Sequence, residues 1–213
     1  MKIALIGATG GTGRAFIDQA VAGGHSVTAL ARNPSKLQAV AHKIQVVQAD
    51  AREPESLRKA LSGPLDAVVC IVGASGLLEA RRVTDLYSTT AKNLEWAMNE
   101  VGLTRLLLVS SSGVEPQEND NWFYVNVLKR FFLQPMYDDM LRMESQVRAS
   151  KLDYTIVRPP YLTSGSVTGK YRVSTSGNFK DDKTLTREDL AHFLLLAVSE
   201  SAKFSRMTVA LSE

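Results

Sequence analysis

Seven residues near the start of the chain, Gly7-Ala8-Thr9-Gly10-Gly11-Thr12-Gly13, have the types and spacing needed to hold a phosphate group. They follow an apolar run, Ile3 to Ile6, and open a helical pattern carrying Phe16, Ile17, Ala20 and Val21. A glycine-rich turn between a buried strand and a helix aims backbone amides at an anion, and the helix dipole adds partial positive charge beside them. Gly7 suits the tight turn, Gly10 admits a diphosphate close to the backbone, and Gly13 lets the helix pack on the strand. Thr9, Gly11 and Thr12 complete the loop. The spacing is Gly-x-x-Gly-x-x-Gly, not Gly-x-Gly-x-x-Gly. A lone glycine motif is weak evidence; this one has its strand and helix in place.

A second group of residues bears on which nucleotide the turn would serve. Dinucleotide sites that prefer NAD place an acid after the second strand, on the ribose hydroxyls. This chain has Ala31-Arg32-Asn33-Pro34-Ser35-Lys36 there. A guanidinium at Arg32 would stack on adenine and pair with a 2′-phosphate, which a carboxylate would repel. Lys36 adds a second charge and Ser35 a hydroxyl, so NADP is the expected cofactor and NAD the less favoured one. The same cluster also suits a solvated basic face. Asp50, with Ala51 behind it, ends the third strand, where it meets adenine or else opens a capping box with Glu53 ahead of Pro54. Gly73-Ala74-Ser75 ends the fourth strand, where small residues let the backbone pass under the ribose or diphosphate, or simply turn.

The reacting end is expected after the fifth and sixth strands. Ser110-Ser111-Ser112 would bring hydroxyls near a nicotinamide, though serines at such a turn also bond local backbone. Pro159-Pro160-Tyr161 leaves the sixth strand on the same side. Two stretches, residues 112–134 and 163–184, depart from carboxyl ends of strands and can line a substrate crevice. The first contains Trp122, Phe123, Tyr124, Phe131 and Phe132, which serve equally to line a pocket or to pack the segment down.

The elements positioning these residues alternate. Strands are read at Lys2–Ile6, Ser26–Leu30, Ile44–Val47, Ala67–Val72, Arg105–Val109 and Tyr154–Val157. Helices are read at Thr12–Ala22, Pro54–Leu61, Leu77–Val101, Met136–Ala149 and Arg187–Val198. The strands are continuous apolar runs, as expected where both faces of a sheet are covered. Alternation then selects an α/β fold: a doubly wound parallel sheet of the Rossmann type, helices on both faces, with a small C-terminal substrate-side region. The 213 residues suit one domain.

The ordered set of motifs resembles the atypical short-chain dehydrogenase/reductase group of NmrA-like, NAD(P)H-binding proteins, and within it the flavin reductase and biliverdin-IXβ reductase branch. The residues that carry the likeness are the glycine turn, Arg32 and Lys36, Asp50, Ser110-Ser111 and Leu152-Asp153-Tyr154 leading to Arg158-Pro159-Pro160. Leu162, Thr168-Gly169-x-Tyr171 and Asp189-Leu190-x-His192-Phe193 follow, so the likeness runs nearly the whole length. The resemblance implies that Gly10, Thr12 and Gly13 hold diphosphate and that Arg32 with Lys36 holds a 2′-phosphate. It implies that Ser111 lies beside nicotinamide and substrate. Where that branch has substrate-proximal histidines, this chain has Met140 and Tyr161.

The Tyr-x-x-x-Lys pair of the wider dehydrogenase group is missing: Leu141 follows Tyr137, and Leu128 follows Tyr124 with Lys129 one residue late. Ketone reduction develops an alkoxide that gains roughly 10²–10⁴-fold in rate from a placed acid. A flavin, quinone or bilin spreads the incoming charge and needs orientation more than an acid. The expectation is therefore an NADPH-dependent reductase of a conjugated acceptor, with Ser111 and Tyr161 as candidate catalytic residues and flavin as a possible substrate. The alternative is a non-catalytic NADP sensor of the NmrA-like type.

Bulk properties exclude other classes. Net charge is +3, with no long basic run, which argues against nucleic acid. No apolar run approaches a membrane span and no export segment is evident, so a cytoplasmic protein is expected. The histidines, carboxylates and single cysteine show no metal-ligand spacing, and Cys70 reads as a core residue. Asp138-Asp139 and Asp181-Asp182 read as helix-start or loop acids. Oligomeric state is not legible in the sequence.

Overall fold

The computed structural model describes residues 1–73, 85–115, 133–181 and 184–213. An eight-stranded sheet runs in the order β3-β2-β1-β4-β5-β6-β10-β8. Its strands are β1 (Lys2–Ile6), β2 (Ser26–Ala31), β3 (Gln45–Gln48), β4 (Ala67–Cys70), β5 (Arg105–Val109), β6 (Asp153–Arg158), β8 (Arg172–Ser174) and β10 (Met207–Ser212). All pair in parallel except β8, which runs antiparallel to β10 at the edge. Two short strands, β7 (Leu162–Thr163) and β9 (Leu185–Thr186), pair separately. The doubly wound expectation holds, with the order reversing at β1, between β2 and β4, where such sheets open a crevice.

Strand residues alternate between two cores. Leu5, Val69, Leu107 and Val157 face Phe16 and Ile17 of α1 (Gly11–Ala22) and Phe193 and Leu194 of α5 (Arg187–Ser199). Ala4, Ile6, Val68, Leu106 and Ile156 face Leu57 of α2 (Pro54–Ala60), Leu94 and Met98 of α3 (Leu86–Val101), and Met143 and Val147 of α4 (Gln134–Ala149). Burial on both faces is why these strands read as unbroken apolar runs. A short helix, α6 (Ser201–Phe204), leads into β10.

Differences from the sequence reading have physical causes. Strand β10 carries a polar serine and threonine, and β8 is a short, exposed edge strand. Neither stands out until it pairs. The expected helix start at Leu77 lies outside the described residues; α3 is described from Leu86. The aromatics between Trp122 and Phe132, and Lys129, also lie outside them. Asp139 is not a solvated acid. It is fully buried in α4 and accepts from the Tyr87 and Ser88 amides and the Ser88 hydroxyl, capping α3 from its neighbour, while that helix's own N-cap Asp85 makes no side-chain capping bond and instead accepts from Arg52. Asp181 is held bidentately by Arg172 at 2.9 and 3.1 Å. Among the described residues no helix is long and apolar enough to cross a membrane.

Candidate dinucleotide site

The glycine turn divides its labour much as the sequence suggests. Gly7 has φ +88°, and a Cβ there would lie 2.2 Å from the Ile71 carbonyl oxygen beyond β4. Only glycine meets both demands. A Cβ on Gly13 would lie 2.3 Å from Gly7 O and 2.8 Å from Ala8 Cα, so Gly13 is where α1 touches the turn. Gly10 differs: its Cβ would meet only Gly7 O at 3.6 Å, and the residue is exposed. Gly10 N–H donates to Gly7 C=O, and the helix ladder begins with Arg14 N–H on Gly10 C=O. No side chain caps the helix. Its first-turn amides, from Gly11, Thr12 and Gly13, are therefore left without a side-chain cap beside exposed Thr9, and uncapped amides of this kind can hold an anion.

Past the ends of β2 and β3 a cavity of about 390 Å³ is lined by Arg32, Gln48, Ala49, Asp50 and Ser56. The fold thus brings together the residues after β2 and β3 that the sequence singles out. Arg32 and Lys36 are exposed and pair with no carboxylate among the described residues. Asn33 caps the 3-10 turn Pro34–Val40 by accepting from the Ser35 amide, and the Ser35 hydroxyl donates to the same oxygen at 2.6 Å. Asp50 accepts from Arg52 N–H, and its own N–H donates to Ser56 Oγ. The capping-box reading of Asp50 is corrected: Glu53 is the N-cap of α2 and makes no side-chain bond, while Pro54 opens the helix as expected. The Asp50 carboxylate lies well before that N-cap and is spent on a local turn. Ala51 O accepts from Asn93.

Arg14 was not evident from the motif alone. Its guanidinium reaches Thr9 O at 3.4 Å and Lys36 O at 3.3 Å, bridging the glycine turn to the basic segment. The available signal was a cation directly after the last glycine, in the first turn of a helix that disfavours one.

Three residues beyond β4, Gly73 is exposed, with Ala74 and Ser75 outside the described residues. Ser110 is buried, and its hydroxyl has no hydrogen-bond partner among the described residues. Ser111 Oγ accepts from Gly113 N–H at 3.2 Å, capping the turn Ser112–Val114, and its own proton forms no bond to the described residues. Ser112 N–H donates to Pro159 O, which joins the β5 and β6 exits; Pro159 and Pro160 are buried. Tyr161 beyond them is 80% exposed. Tyr137 packs against Gly113, where a Cβ would come 2.5 Å from its hydroxyl.

Charged groups nearby hold the frame. Arg158 is buried, clamped by fully buried Glu144 at 2.9 and 2.7 Å and by Glu115. Burial works against its charge, but these carboxylates outweigh it and raise its pKa. Asp189, fully buried, accepts from the Thr168 and Gly169 amides and the Thr168 and Thr186 hydroxyls. Burial pushes its carboxyl up, yet those bonds win and hold it below the ordinary range. Tyr171 donates to or accepts from His192 Nδ1 at 2.8 Å. The Thr168-Gly169-x-Tyr171 and Asp189…His192 motifs therefore fasten the C-terminal loop to α5. Burial lifts the Cys70 thiol to about 12, consistent with an inert core residue.

Comparison with known proteins agrees with the fold. The chain is similar to the UPF0659 protein YMR090W of Saccharomyces cerevisiae, 28% identical over an alignment of 223 positions, gaps included, that spans 99% of this chain and 92% of that one. The oxidoreductase YlbE of Lactococcus lactis shares its fold with a TM-score of 0.82 at 21% identity, covering 100% of this chain and 91% of that one. So does ChuY, an anaerobilin reductase of Escherichia coli O157:H7, with a TM-score of 0.78 at 21% identity, covering 100% and 97%. The model of the NAD(P)H-binding family matches residues 7–201, from the glycine turn through the last long helix. The chain belongs to the NAD(P)H-binding family.

Proposed function

We propose that the protein is an NADPH-dependent reductase that delivers hydride to a planar conjugated acceptor: a flavin, a quinone or a bilin. The observation carrying the cofactor choice is the exposed pair Arg32 and Lys36, neither paired with a carboxylate among the described residues, with Arg32 lining the cavity that Asp50 shares. A 2′-phosphate supplies the charge that this pair lacks. NADPH, when bound, supplies the hydride. Gly10 and the α1 amides hold its diphosphate, and Ser110, Ser111 and Gly73 border the position of the ring. Ser111 is left with one proton to donate, since its oxygen already accepts from Gly113. Tyr161 offers an exposed ring for stacking an acceptor and a hydroxyl for its proton. That the structural neighbour ChuY is a bilin reductase supports this acceptor class. Steady-state NADPH oxidation against flavins, quinones, bilins and simple aldehydes tests the proposal: turnover confined to the conjugated acceptors is expected.

A second reading, an NADP sensor without catalysis, draws on the same serine: Ser111 Oγ serves as a cap, as a purely structural serine would. Micromolar NADPH binding with no turnover across the whole panel would select it.

A further inference from the structure

Arg187 opens α5, and its side chain lies across the first residue of α1. A Cβ built on Gly11 would sit 2.7 Å from Arg187 Cδ and 3.2 Å from Nε, so the arginine stem fills the space that Gly11 leaves. Its Nη1 donates to Ser164 Oγ at 3.4 Å, on the C-terminal loop. No carboxylate pairs with it among the described residues: Glu188 forms no bridge to it, and Asp189 is committed to Thr168, Gly169 and Thr186. The position is electrostatically odd for a cation. It lies in the first turn of α5 and against the uncapped amino end of α1, and both helix termini carry partial positive charge. An anion held at once by the α1 amides and the guanidinium would relieve both clashes.

We infer that Arg187 binds the diphosphate of the dinucleotide from the side opposite the α1 amides, and that its bond to Ser164 transmits cofactor binding to the substrate-side loop. The inference rests on the dinucleotide reading of the glycine turn. It adds a cation far from the motif in sequence and a link between the cofactor and the segment that Asp189 fastens to α5. It also gives Gly11 a reason: a side chain there would push the arginine off the helix end.

The test is calorimetric titration of the full chain, wild type and the variants Arg187→Ala, Arg187→Lys and Arg32→Ala, with NADPH, NADH and adenosine 2′-monophosphate. Arg187→Ala should weaken NADPH and NADH by the same factor, about tenfold or more for a lost charge-assisted contact, and leave the monophosphate unchanged. Arg187→Lys should recover part of the loss. Arg32→Ala should show the complementary pattern, losing NADPH and the monophosphate but sparing NADH. Unchanged NADPH affinity in Arg187→Ala, with Arg32→Ala impaired, overturns the inference and leaves the dinucleotide reading standing. Loss of the monophosphate in Arg187→Ala assigns the residue to folding and also overturns it. Failure of the wild type to bind either dinucleotide overturns both. Hydrogen exchange reads the second half: NADPH should protect the amides of residues 164–170 in the wild type and not in Arg187→Ala, and equal protection refutes the coupling.

Discussion

Replacing Arg32 by alanine removes a side chain that the folded protein does not need for itself. Arg32 is exposed, pairs with no carboxylate among the described residues, and makes no side-chain hydrogen bond to them. The stability change should therefore stay within about 0.5 kcal/mol, as for surface sites without special contacts. Its effect on NADPH has a different origin. A guanidinium on a phosphate makes charge-assisted hydrogen bonds worth about 1.5–3 kcal/mol, or roughly ten- to a hundred-fold in affinity at 1.4 kcal/mol per decade. Lys36 and Arg14, joined by the 3.3 Å bond from Arg14 to Lys36 O, keep two cations on the segment that follows β2, which sets the expectation in the lower half of that range. NADH lacks the 2′-phosphate and should bind the variant as it binds the wild type. The gap between the two nucleotides should also narrow with added salt, because an exposed phosphate contact is screened over a Debye length of about 10 Å at 0.1 M. Fluorescence titration at two ionic strengths measures all of this. Equal losses for NADPH and NADH, or no loss for either, would refute the assignment of Arg32 to the 2′-phosphate.

Two glycines of the turn should separate fold from binding. Gly13→Ala drives a Cβ into the backbone at Gly7 O and Ala8, and should cost about 1–3 kcal/mol in chemical denaturation along with nucleotide affinity. Gly10→Ala, whose Cβ meets only Gly7 O at 3.6 Å, should leave the denaturation midpoint nearly unchanged while weakening NADPH; the reverse ranking would contradict the diphosphate placement. Glu144→Gln removes the charge that Arg158 and Arg148 share in a buried setting, and a loss of about 3–5 kcal/mol is expected, read from urea midpoints. Asp189→Asn should destabilise by about 2–3 kcal/mol at neutral pH. The folded-state pKa of Asp189 is depressed, so its contribution is complete above the unfolded value near 4 and fades as pH falls through the folded value. The wild-type advantage over the variant should therefore shrink in acid, and a difference independent of pH would show that the carboxylate charge is not what holds the loop.

The parts of this protein legible in its sequence are those where local chemistry is tied to local geometry. Gly7 and Gly13 are glycines because the chain turns and packs on itself within a few residues, and the buried strands β1, β2, β4, β5 and β6 read as apolar runs because both their faces are covered. Arg32, Lys36 and Asp50 could be singled out because each follows a strand end by a few residues, and the parallel sheet sets all strand ends on one side. Contacts between distant segments were a different matter. Asp139 reads as a helix-start or loop acid, and only the docking of α4 places it under the amino end of α3; Asp50 reads as an adenine contact or a cap, and in the fold the N-cap of α2 is Glu53 while Asp50 accepts from the Arg52 amide. Strand β10 has a weak pattern of its own and becomes a strand by pairing with β6. Arg187 stands 176 residues after Gly11, and only the packing of α5 on α1 lays one across the other. Pattern and turn chemistry are encoded within a few residues of each site; which buried charge meets which helix end depends on where separate elements dock.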